Sequence, residues 1–504
     1  PLARRSPEAR DALGMREWSA WMGHATLAAM VPRVPLGTSD FLQLREDELI
    51  YVDKSHFVVE LLADPARVLL LPRPRRFGKT LNLSTARYFF ERPPRAPADA
   101  TAKESSVRRA FSGLAIEKAG EQVWSHFQRH PVIFLTFKDQ KGPNWSVSGS
   151  LAGLIGREAQ RLAPVLDPIL AGEDRKGLEA LVRGIGPSVL LEDALLLLSD
   201  WLHRATGEKA FILIDEYDTP IHDVYGDEKR YNEGVGFFRN FFSAGLKDNP
   251  HLEKGILTGI LRVAKESMFS GLNNLEVYSL LRKPYGAAFG FTEGEVEDLC
   301  AVVGISTAQR DELRAWYNGY RFGGQVIYNP WSVLSYLKHH DEPVQPYWVN
   351  TGGDALIRKL LIDSGLGIES DVETLMAGGS IVKPIDEHIV LRDLETHPDP
   401  LFSFLVFSGY LRADERVPPR EGENEQWRLT IPNREVATVY SRLFLDWLKG
   451  GLGGGSRVQA FCRSLLAGDA VAVEEHLGTL LERTLSYHDT AGRASEVTLT
   501  APGG

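Results

Sequence analysis

The sequence has very little cysteine and no long hydrophobic run. Cys300 and Cys462 are the two cysteines among 504 residues, and neither has Cys or His at metal-ligand spacing. This excludes a disulfide framework and a zinc ribbon, and it favours a reducing compartment such as the cytoplasm. No stretch approaches the roughly 20 apolar residues that a membrane helix needs. The weakly apolar segment at 18–31 follows both acids and arginines, so we expect no signal peptide and no membrane partner.

The sequence also lacks a strong excess of charge. It has 57 Lys and Arg against 67 Asp and Glu, a net charge of −10, and 43% of its residues are hydrophobic. This composition excludes a disordered chain, a fibre and a polytopic membrane protein. The length predicts about three compact units. The weak acidity leaves nucleic acid open as a partner, because a local basic groove can still bind it.

Four short apolar runs predict the buried strands of one sheet. Each run is too short for a helix, and most have turn residues at a border. They are Val68–Leu71, Val132–Phe137, Phe211–Ile214 and Gly255–Ile260. Helical patterns lie between them, one from Ser188, its expected N-cap, to Gly207 and one around 237–242. Strands that alternate with helices predict an α/β fold, a parallel sheet with helices on both faces.

After Tyr285 the pattern becomes mainly helical. The pairs Thr292 with Glu295 and Ser306 with Gln309 have the spacing of capping boxes and predict two helix starts. A mixed region follows to about residue 450. The glycine-rich run that comes next is typical of a flexible linker, and one or two helices are expected beyond it.

A candidate phosphate-binding loop follows the first strand. Its sequence is Arg73-Pro74-Arg75-Arg76-Phe77-Gly78-Lys79-Thr80, and a helical pattern comes next. Backbone N–H groups and the helix N-terminus of such a loop point at phosphate oxygens. We predict that Arg75, Arg76, Phe77, Gly78, Lys79 and Thr80 bind the nucleotide, with Lys79 at the β- and γ-phosphates and Thr80 on Mg²⁺.

The loop departs from the motif G-x-x-x-x-G-K-[ST] at its first position, where Arg73 stands in place of glycine. We therefore expect a different loop entry and a negative φ at Arg73, because positive φ is costly for a residue with a Cβ. An arginine-rich turn with a chance Gly-Lys-Thr is the alternative. Arg73, Arg75 and Arg76 together are candidates for contact with phosphate or nucleic acid, or for ion pairs with nearby acids.

The third strand ends in two acids, Asp215 and Glu216. At the carboxyl end of a parallel strand Asp215 would hold Mg²⁺, and Glu216 would polarise the attacking water. We expect this strand end to be adjacent to that of the phosphate loop. The alternative is a strand that exits into a charged loop. At the end of the fourth strand, Thr258 or Arg262 would sense the γ-phosphate, unless Arg262 is a surface charge. Together these motifs predict ATP binding with Mg²⁺.

The chain resembles the bacterial family of predicted AAA-ATPase-like proteins, which are often fused to a C-terminal PD-(D/E)xK nuclease-like domain. The similarity runs from about residue 36 to 490 and rests on many ordered motifs. Besides the phosphate loop, with an Arg at its first position as in the family, these are Tyr51–Ser55, Leu213–Asp218, Leu257–Ile260, Phe269–Asn274, Tyr317–Tyr320, Tyr328–Ser332, Phe407–Leu411 and Ile431–Glu435.

The resemblance implies a division of the chain. The expected segments are an N-terminal extension (1–35), a P-loop ATPase-like core (36–290), a helical lid (291–345), a winged-helix-like or α+β region (346–449), a Gly-rich linker (450–456) and a helical tail (457–504). Related ATPases contact adenine at a place that corresponds to Tyr51–Phe57, which is an analogy. The tail would be the vestige of the nuclease-like domain. Glu496 matches its first acid, but no Asp or Glu-x-Lys follows, so we expect no nuclease activity in this chain.

The function predicted from these patterns is Mg-dependent ATP binding and hydrolysis coupled to a conformational change, by residues of the Walker A and Walker B type. Two other classes stay open. One is a nucleotide-gated interaction protein that barely turns over ATP or ADP. The other is a nucleic-acid-binding module of a defence system or mobile element. Candidate partners are a nucleic acid, a protein and a second copy of this chain.

Overall fold

The computed structural model of this chain describes residues 33–93, 106–261, 268–269, 272–351, 368–389, 394, 398–418, 425–452 and 455–478. The predicted N-terminal extension lies almost wholly outside these residues, as does the tail from residue 479 onward.

The centre of the fold is a five-stranded sheet in which every neighbouring pair is parallel. Its strands are β1 (Val68–Pro72), β2 (Val132–Thr136), β3 (Ala210–Asp215), β4 (Leu252–Gly259) and β5 (Leu275–Val277). Their order across the sheet is β2-β3-β4-β1-β5. The four predicted strands are confirmed. The edge strand β5 was not predicted, because three residues are too few to show the alternation of apolar and polar side chains that indicates a strand.

Both faces of this sheet are covered. Every residue of β1 and of β3 is buried, and successive side chains of a strand point to opposite faces. A run that is apolar without alternation is therefore what a sheet between two layers requires. The α/β class with a parallel sheet is confirmed.

Helices surround the sheet. In chain order they are α1 (Phe41–Glu46), α2 (His56–Ala63), α3 (Lys79–Phe90), α4 (Ser106–Ala110), α5 (Glu121–Trp124), α6 (Ala152–Leu166), α7 (Gly172–Arg183), α8 (Ser188–Glu192), α9 (Ala194–Thr206), α10 (Thr219–Asp223) and α11 (Glu228–Leu246). Helices α3, α6 and α9 contact β2, and α11 contacts β4.

The helix expected between Ser188 and Gly207 is two helices. Asp193 separates α8 from α9 with φ −87° and ψ 0°, and Pro187, not Ser188, is the N-cap of α8. The expected end is confirmed, because Gly207 caps α9 with φ 74°, a conformation that glycine adopts without strain.

The second half of the chain is helical with small antiparallel sheets. Its elements are α12 (Glu293–Val303), α13 (Thr307–Tyr317), β6 (Tyr320–Phe322), β7 (Gln325–Ile327), α14 (Pro330–Lys338), α15 (Glu369–Met376), β8 (Ile381–Pro384), α16 (Pro398–Ser408), β9 (Arg412–Val417), β10 (Gln426–Thr430), α17 (Arg434–Leu452) and α18 (Gly455–Ala467). Both predicted capping boxes are present, at the starts of α12 and α13.

The region 346–449 contains a three-stranded antiparallel sheet of order β8-β10-β9, with α15, α16 and α17 beside it in the chain. The winged-helix-like interpretation stays a prediction. The structure departs from the expected flexible linker, since α17 continues to Leu452 and α18 begins at Gly455. A helix that already packs along one face tolerates glycines, which cost about 1 kcal/mol each.

One apolar core joins the two halves. It extends from Phe41 in α1 through the sheet to Leu443 in α17, and a second cluster lies among α12, α13 and α14. Within the described parts of the chain, no helix combines the length and the apolar character needed to cross a membrane.

Candidate functional site

The loop between β1 and α3 has the backbone of an anion site. Gly78 is the N-cap of α3 with φ 83°, and an added Cβ would meet nothing within 4 Å, so the glycine is needed for conformation and not for space. Arg76 has φ 67°, and left-handed backbone at a non-glycine residue often marks a functional site. The first N–H groups of α3 have no acceptor within the helix. They are available to an anion at the positive end of the helix dipole.

Lys79 lies inside this loop. Its Nζ donates to the backbone oxygens of Arg73 and Pro74, both at 2.9 Å. Burial lowers the pKa of Lys79, while the carboxylates of Glu216 and Asp215 act in the opposite direction. The ammonium group is thus held at the loop by neutral acceptors that a phosphate can replace.

Asp215, the last residue of β3, is fully buried. Thr80 Oγ1 donates to Asp215 Oδ2 at 2.7 Å, and Thr258 Oγ1 donates to Asp215 Oδ1 at 2.7 Å. A hydroxyl and a carboxylate held together are hard oxygen donors, which suit Mg²⁺. The two residues predicted to hold the metal are therefore neighbours in the structure.

Glu216 comes where the chain leaves the strand. Its φ is 51°, so the extended conformation ends at Asp215 and the two acids leave the strand in different directions. Glu216 is half-buried and lines the same cavity as the phosphate loop. Thr219 Oγ1 donates to its Oε2 at 3.3 Å.

The expectation that the two motifs lie at adjacent strand ends is wrong. Strand β4 is inserted between β1 and β3, with Leu71 paired to Thr258 and Ile214 paired to Leu257. The inserted strand brings Thr258 into hydrogen-bond contact with Asp215, and its role as a phosphate sensor stays a prediction. Arg262, the other candidate sensor, lies outside the described residues.

Arg73 is not a ligand-facing residue. Its side chain is fully buried. Its guanidinium donates to the backbone oxygens of Pro72, Tyr278 and Tyr285 and lies 5.0 Å from the ring centroid of Phe289. The expected negative φ is confirmed, because Arg73 is not among the residues with positive φ. Among the described residues Arg73 makes no ion pair, and its hydrogen bonds to three backbone oxygens anchor the loop entry.

Replacing Arg73 is expected to act on stability. In Arg73→Met three carbonyl oxygens lose their donor, and unpaired buried polar groups cost about 1–3 kcal/mol each, so we expect a loss of about 3 kcal/mol or more. Arg75→Met is the control, since Arg75 is exposed. Urea unfolding followed by circular dichroism measures both. Equal stability of the two variants would contradict the anchoring role.

The loop borders a cavity of about 510 Å³. Residues 75–80 line it, as do Tyr51, Val52 and Lys54 from the segment compared by analogy with an adenine contact. Five aromatic residues of the second half also line it and were not predicted as site residues: Phe291, Trp331, Trp348, Phe404 and Tyr410. Trp331 and Tyr410 belong to motifs that carried the family resemblance, and this was the signal that could have found these two.

Lys54 connects the two sides of the cavity. Its Nζ lies 2.6 Å from Glu295 Oε1 and donates to the backbone oxygen of Ala287 at 2.8 Å. Glu295 is also the third residue of α12, where it completes a capping box.

Among the described residues no group of three or more His, Cys, Asp or Glu could hold a metal ion by itself. A Mg²⁺ site with few protein ligands and several phosphate and water oxygens fits this arrangement.

Comparisons with known proteins give one family match and two similar proteins. Residues 35–269 match the AAA-ATPase-like family, described as predicted AAA-ATPase. An uncharacterized protein from the vnfD 5′ region of Azotobacter chroococcum mcd 1 is 29% identical over 421 residues, which cover 82% of this chain and 70% of that protein. The Walker-type ATPase PABY2304 of Pyrococcus abyssi aligns over 81% of this chain and 98% of its own, with 15% identity and a TM-score of 0.37, too low to bear on function.

Proposed function

We propose that the protein binds ATP with Mg²⁺ and hydrolyses it, from the premise that residues 35–269 match the predicted AAA-ATPase family. Nucleotide binding is the part that the family match supports directly. Hydrolysis, the need for Mg²⁺ and a coupled conformational change are the finer parts of the proposal. Nucleic-acid, protein and self-association partners stay predictions.

One observation carries the proposal: the hydrogen bond of 2.7 Å from Thr80 to Asp215. These residues are 135 positions apart in the chain and come from two different elements. The bond places the first turn of α3, the anion-binding end of a helix, against the acidic end of β3. Mg²⁺ bound to nucleotide phosphates needs oxygen donors at this junction.

Each residue of the site then has a distinct task. Lys79 would bind the β- and γ-phosphates, and the backbone of residues 75–79 would donate to their oxygens. Thr80 and Asp215 would hold Mg²⁺, which neutralises charge on the phosphates when bound. Glu216 would accept a proton from, or orient, a water in line with the γ-phosphate. Thr258 fixes the Asp215 carboxylate through its hydrogen bond.

The Mg²⁺ assignment can be tested separately from turnover. Asp215→Ala removes the carboxylate, and we expect the affinity for Mg-ATP to fall about tenfold or more, a change of roughly 1.4 kcal/mol per factor of ten. The affinity for ATP measured in EDTA should change little. Isothermal titration calorimetry with and without Mg²⁺ gives both values.

Asp223→Ala is the matched control for this experiment. Asp223 is an exposed acid that lines the same cavity, but its carboxylate accepts from the backbone N–H of Gly142. We expect its Mg-ATP affinity to stay near that of the wild type. An Asp215→Ala protein that is folded and keeps full Mg²⁺-dependent affinity would contradict the assignment.

A further inference from the structure

The outer side of the phosphate loop is covered by the second half of the chain. The guanidinium carbon of Arg76 lies 4.2 Å from the ring centroid of Trp331, a cation–π contact. Trp348 Nε1 donates to the backbone oxygen of Arg75 at 3.2 Å. Both tryptophans also line the nucleotide cavity. Two consecutive loop residues are thus each held by a tryptophan from outside the sheet.

Apolar contacts continue this cover on either side. The ring of Phe77 meets the ring of Tyr320 edge-on, with centroids 4.9 Å apart. Gly409 has φ 91°, and a Cβ added there would lie 3.1 Å from Pro74 Cβ. The loop from Pro74 to Phe77 is therefore in tight contact with the second half, and movement of the loop requires movement of these neighbours.

One buried carboxylate positions both tryptophans. Glu435, near the start of α17, is fully buried. Its Oε1 accepts from the backbone N–H of Trp348 at 2.6 Å, and its Oε2 accepts from the hydroxyl of Ser332, the residue after Trp331, at 2.7 Å. Burial raises the pKa of Glu435 to about 7, and these hydrogen bonds oppose the shift. A buried carboxylate must keep its donors, so it fixes the positions of both segments.

The same region brings together two motifs of the family resemblance, Tyr317–Tyr320 and Ile431–Glu435. Asn433 Nδ2 donates to the backbone oxygen of Asn318 at 2.9 Å. A Cβ at Gly319 would lie 2.1 Å from the Pro432 backbone oxygen. Two motifs more than 100 residues apart in the chain are therefore in direct backbone contact, beside the segment that holds Trp348.

We propose that three segments of the second half, residues 317–350, 407–411 and 431–440, sense the nucleotide state of the phosphate loop, with Trp331 and Trp348 as the contacts and Glu435 as their positioning residue. The proposal rests on the proposed nucleotide binding. Bound phosphate would compete with the carbonyl oxygens of Arg73 and Pro74 for Lys79. Those carbonyls lie in the segment that Gly409 and Trp348 contact. The second half would therefore contact a different conformation of the loop in each nucleotide state. Differential contact of this kind is what coupling between two sites requires.

Hydrogen exchange measured by mass spectrometry tests the coupling. In the wild-type chain, saturating Mg-ATP is expected to slow exchange severalfold at amides 329–334, 347–350 and 433–437, besides the loop itself. In Trp348→Phe the loop should still be protected, while protection of 433–437 should be lost or much reduced. Glu435→Gln should lose protection at 329–334 as well, since it weakens both connections.

Trp201→Phe is the matched control. Trp201 is also buried but lies in α9, so protection of the loop and of amides 329–334, 347–350 and 433–437 should stay at the wild-type level. Trp331→Leu, at a half-buried position, is the second test should Trp348→Phe not fold, and it is expected to lose protection at 329–334. Lys79→Ala is expected not to bind nucleotide, so it provides the reference exchange rates of the nucleotide-free protein.

The outcomes separate the two proposals. If Mg-ATP protects neither the loop nor the second half of the wild type, nucleotide binding itself fails and the sensing role fails with it. If it protects the loop but not the second half, or if the tryptophan variants keep full protection at both places, nucleotide binding stands and the sensing role is overturned.

Discussion

Lys79→Ala is expected to weaken Mg-ATP binding by about 10²-fold or more, because it removes the point charge that the phosphates would meet inside the loop. The charge of Lys79 is held in place by two backbone oxygens of the loop itself and is nearly inaccessible to solvent, with 4% of its surface exposed. Water therefore cannot substitute for it. Equilibrium titration with a fluorescent ATP analogue measures the loss.

Lys138→Ala is the control for this measurement. Lys138 is an exposed lysine that lines the same cavity, and a general loss of positive charge would affect both variants alike. We expect its affinity to stay within about threefold of the wild type, since exposed charges interact weakly. Thermal unfolding of both variants establishes that they are folded. A folded Lys79→Ala protein with wild-type affinity for Mg-ATP would refute the phosphate-loop assignment.

Glu216→Gln is expected to keep nucleotide affinity and to lower the rate of hydrolysis by about 10²-fold or more, the range associated with loss of a general base. Glutamine keeps the shape and the positive φ of 51° at this position but cannot take a proton from water. Glu216 has no hydrogen bond to Thr80 or Lys79 among the described residues, so the metal and phosphate contacts should survive. Single-turnover hydrolysis separates the chemical step from binding.

Asp223→Asn serves as the control here, because it neutralises another acid of the cavity without touching the end of β3. We expect it to hydrolyse ATP at a rate close to that of the wild type. If Glu216→Gln hydrolyses at the wild-type rate, Glu216 is not the base. If the wild type binds Mg-ATP and never hydrolyses it, the chain is a nucleotide-gated interaction protein, and the sensing role proposed for segments 317–350, 407–411 and 431–440 becomes its main activity.

The sequence alone identified the strands that carry the site. Residues 68–71 and 211–214 are apolar without interruption, and a strand buried on both faces needs that pattern. Gly78, Lys79 and Thr80 could be located because the chemistry of a phosphate loop is local: strand, turn and helix start are consecutive in the chain. The capping boxes of α12 and α13 were predictable for the same reason, since each joins residues three positions apart.

Tertiary structure decided what the local patterns leave open. The order of the strands places β4 between the two motifs, and parallel pairing involves residues too distant in the chain for the sequence pattern to specify. From the sequence alone, the side chain of Arg73 could equally face a ligand or the core. Its burial depends on carbonyl oxygens more than 200 residues away.

The residues around the phosphate loop show the same division. The sequence predicted a candidate phosphate-binding loop and determined which side chains it offers, because those depend on consecutive residues. Trp331, Trp348 and Glu435 assemble around that loop through hydrogen bonds between segments about 90 to 100 residues apart. No helical or strand periodicity in the sequence connects the donors and acceptors of these bonds. Tertiary packing alone therefore decided that the second half of the chain contacts the loop, because only folding brings these buried polar groups within bonding distance.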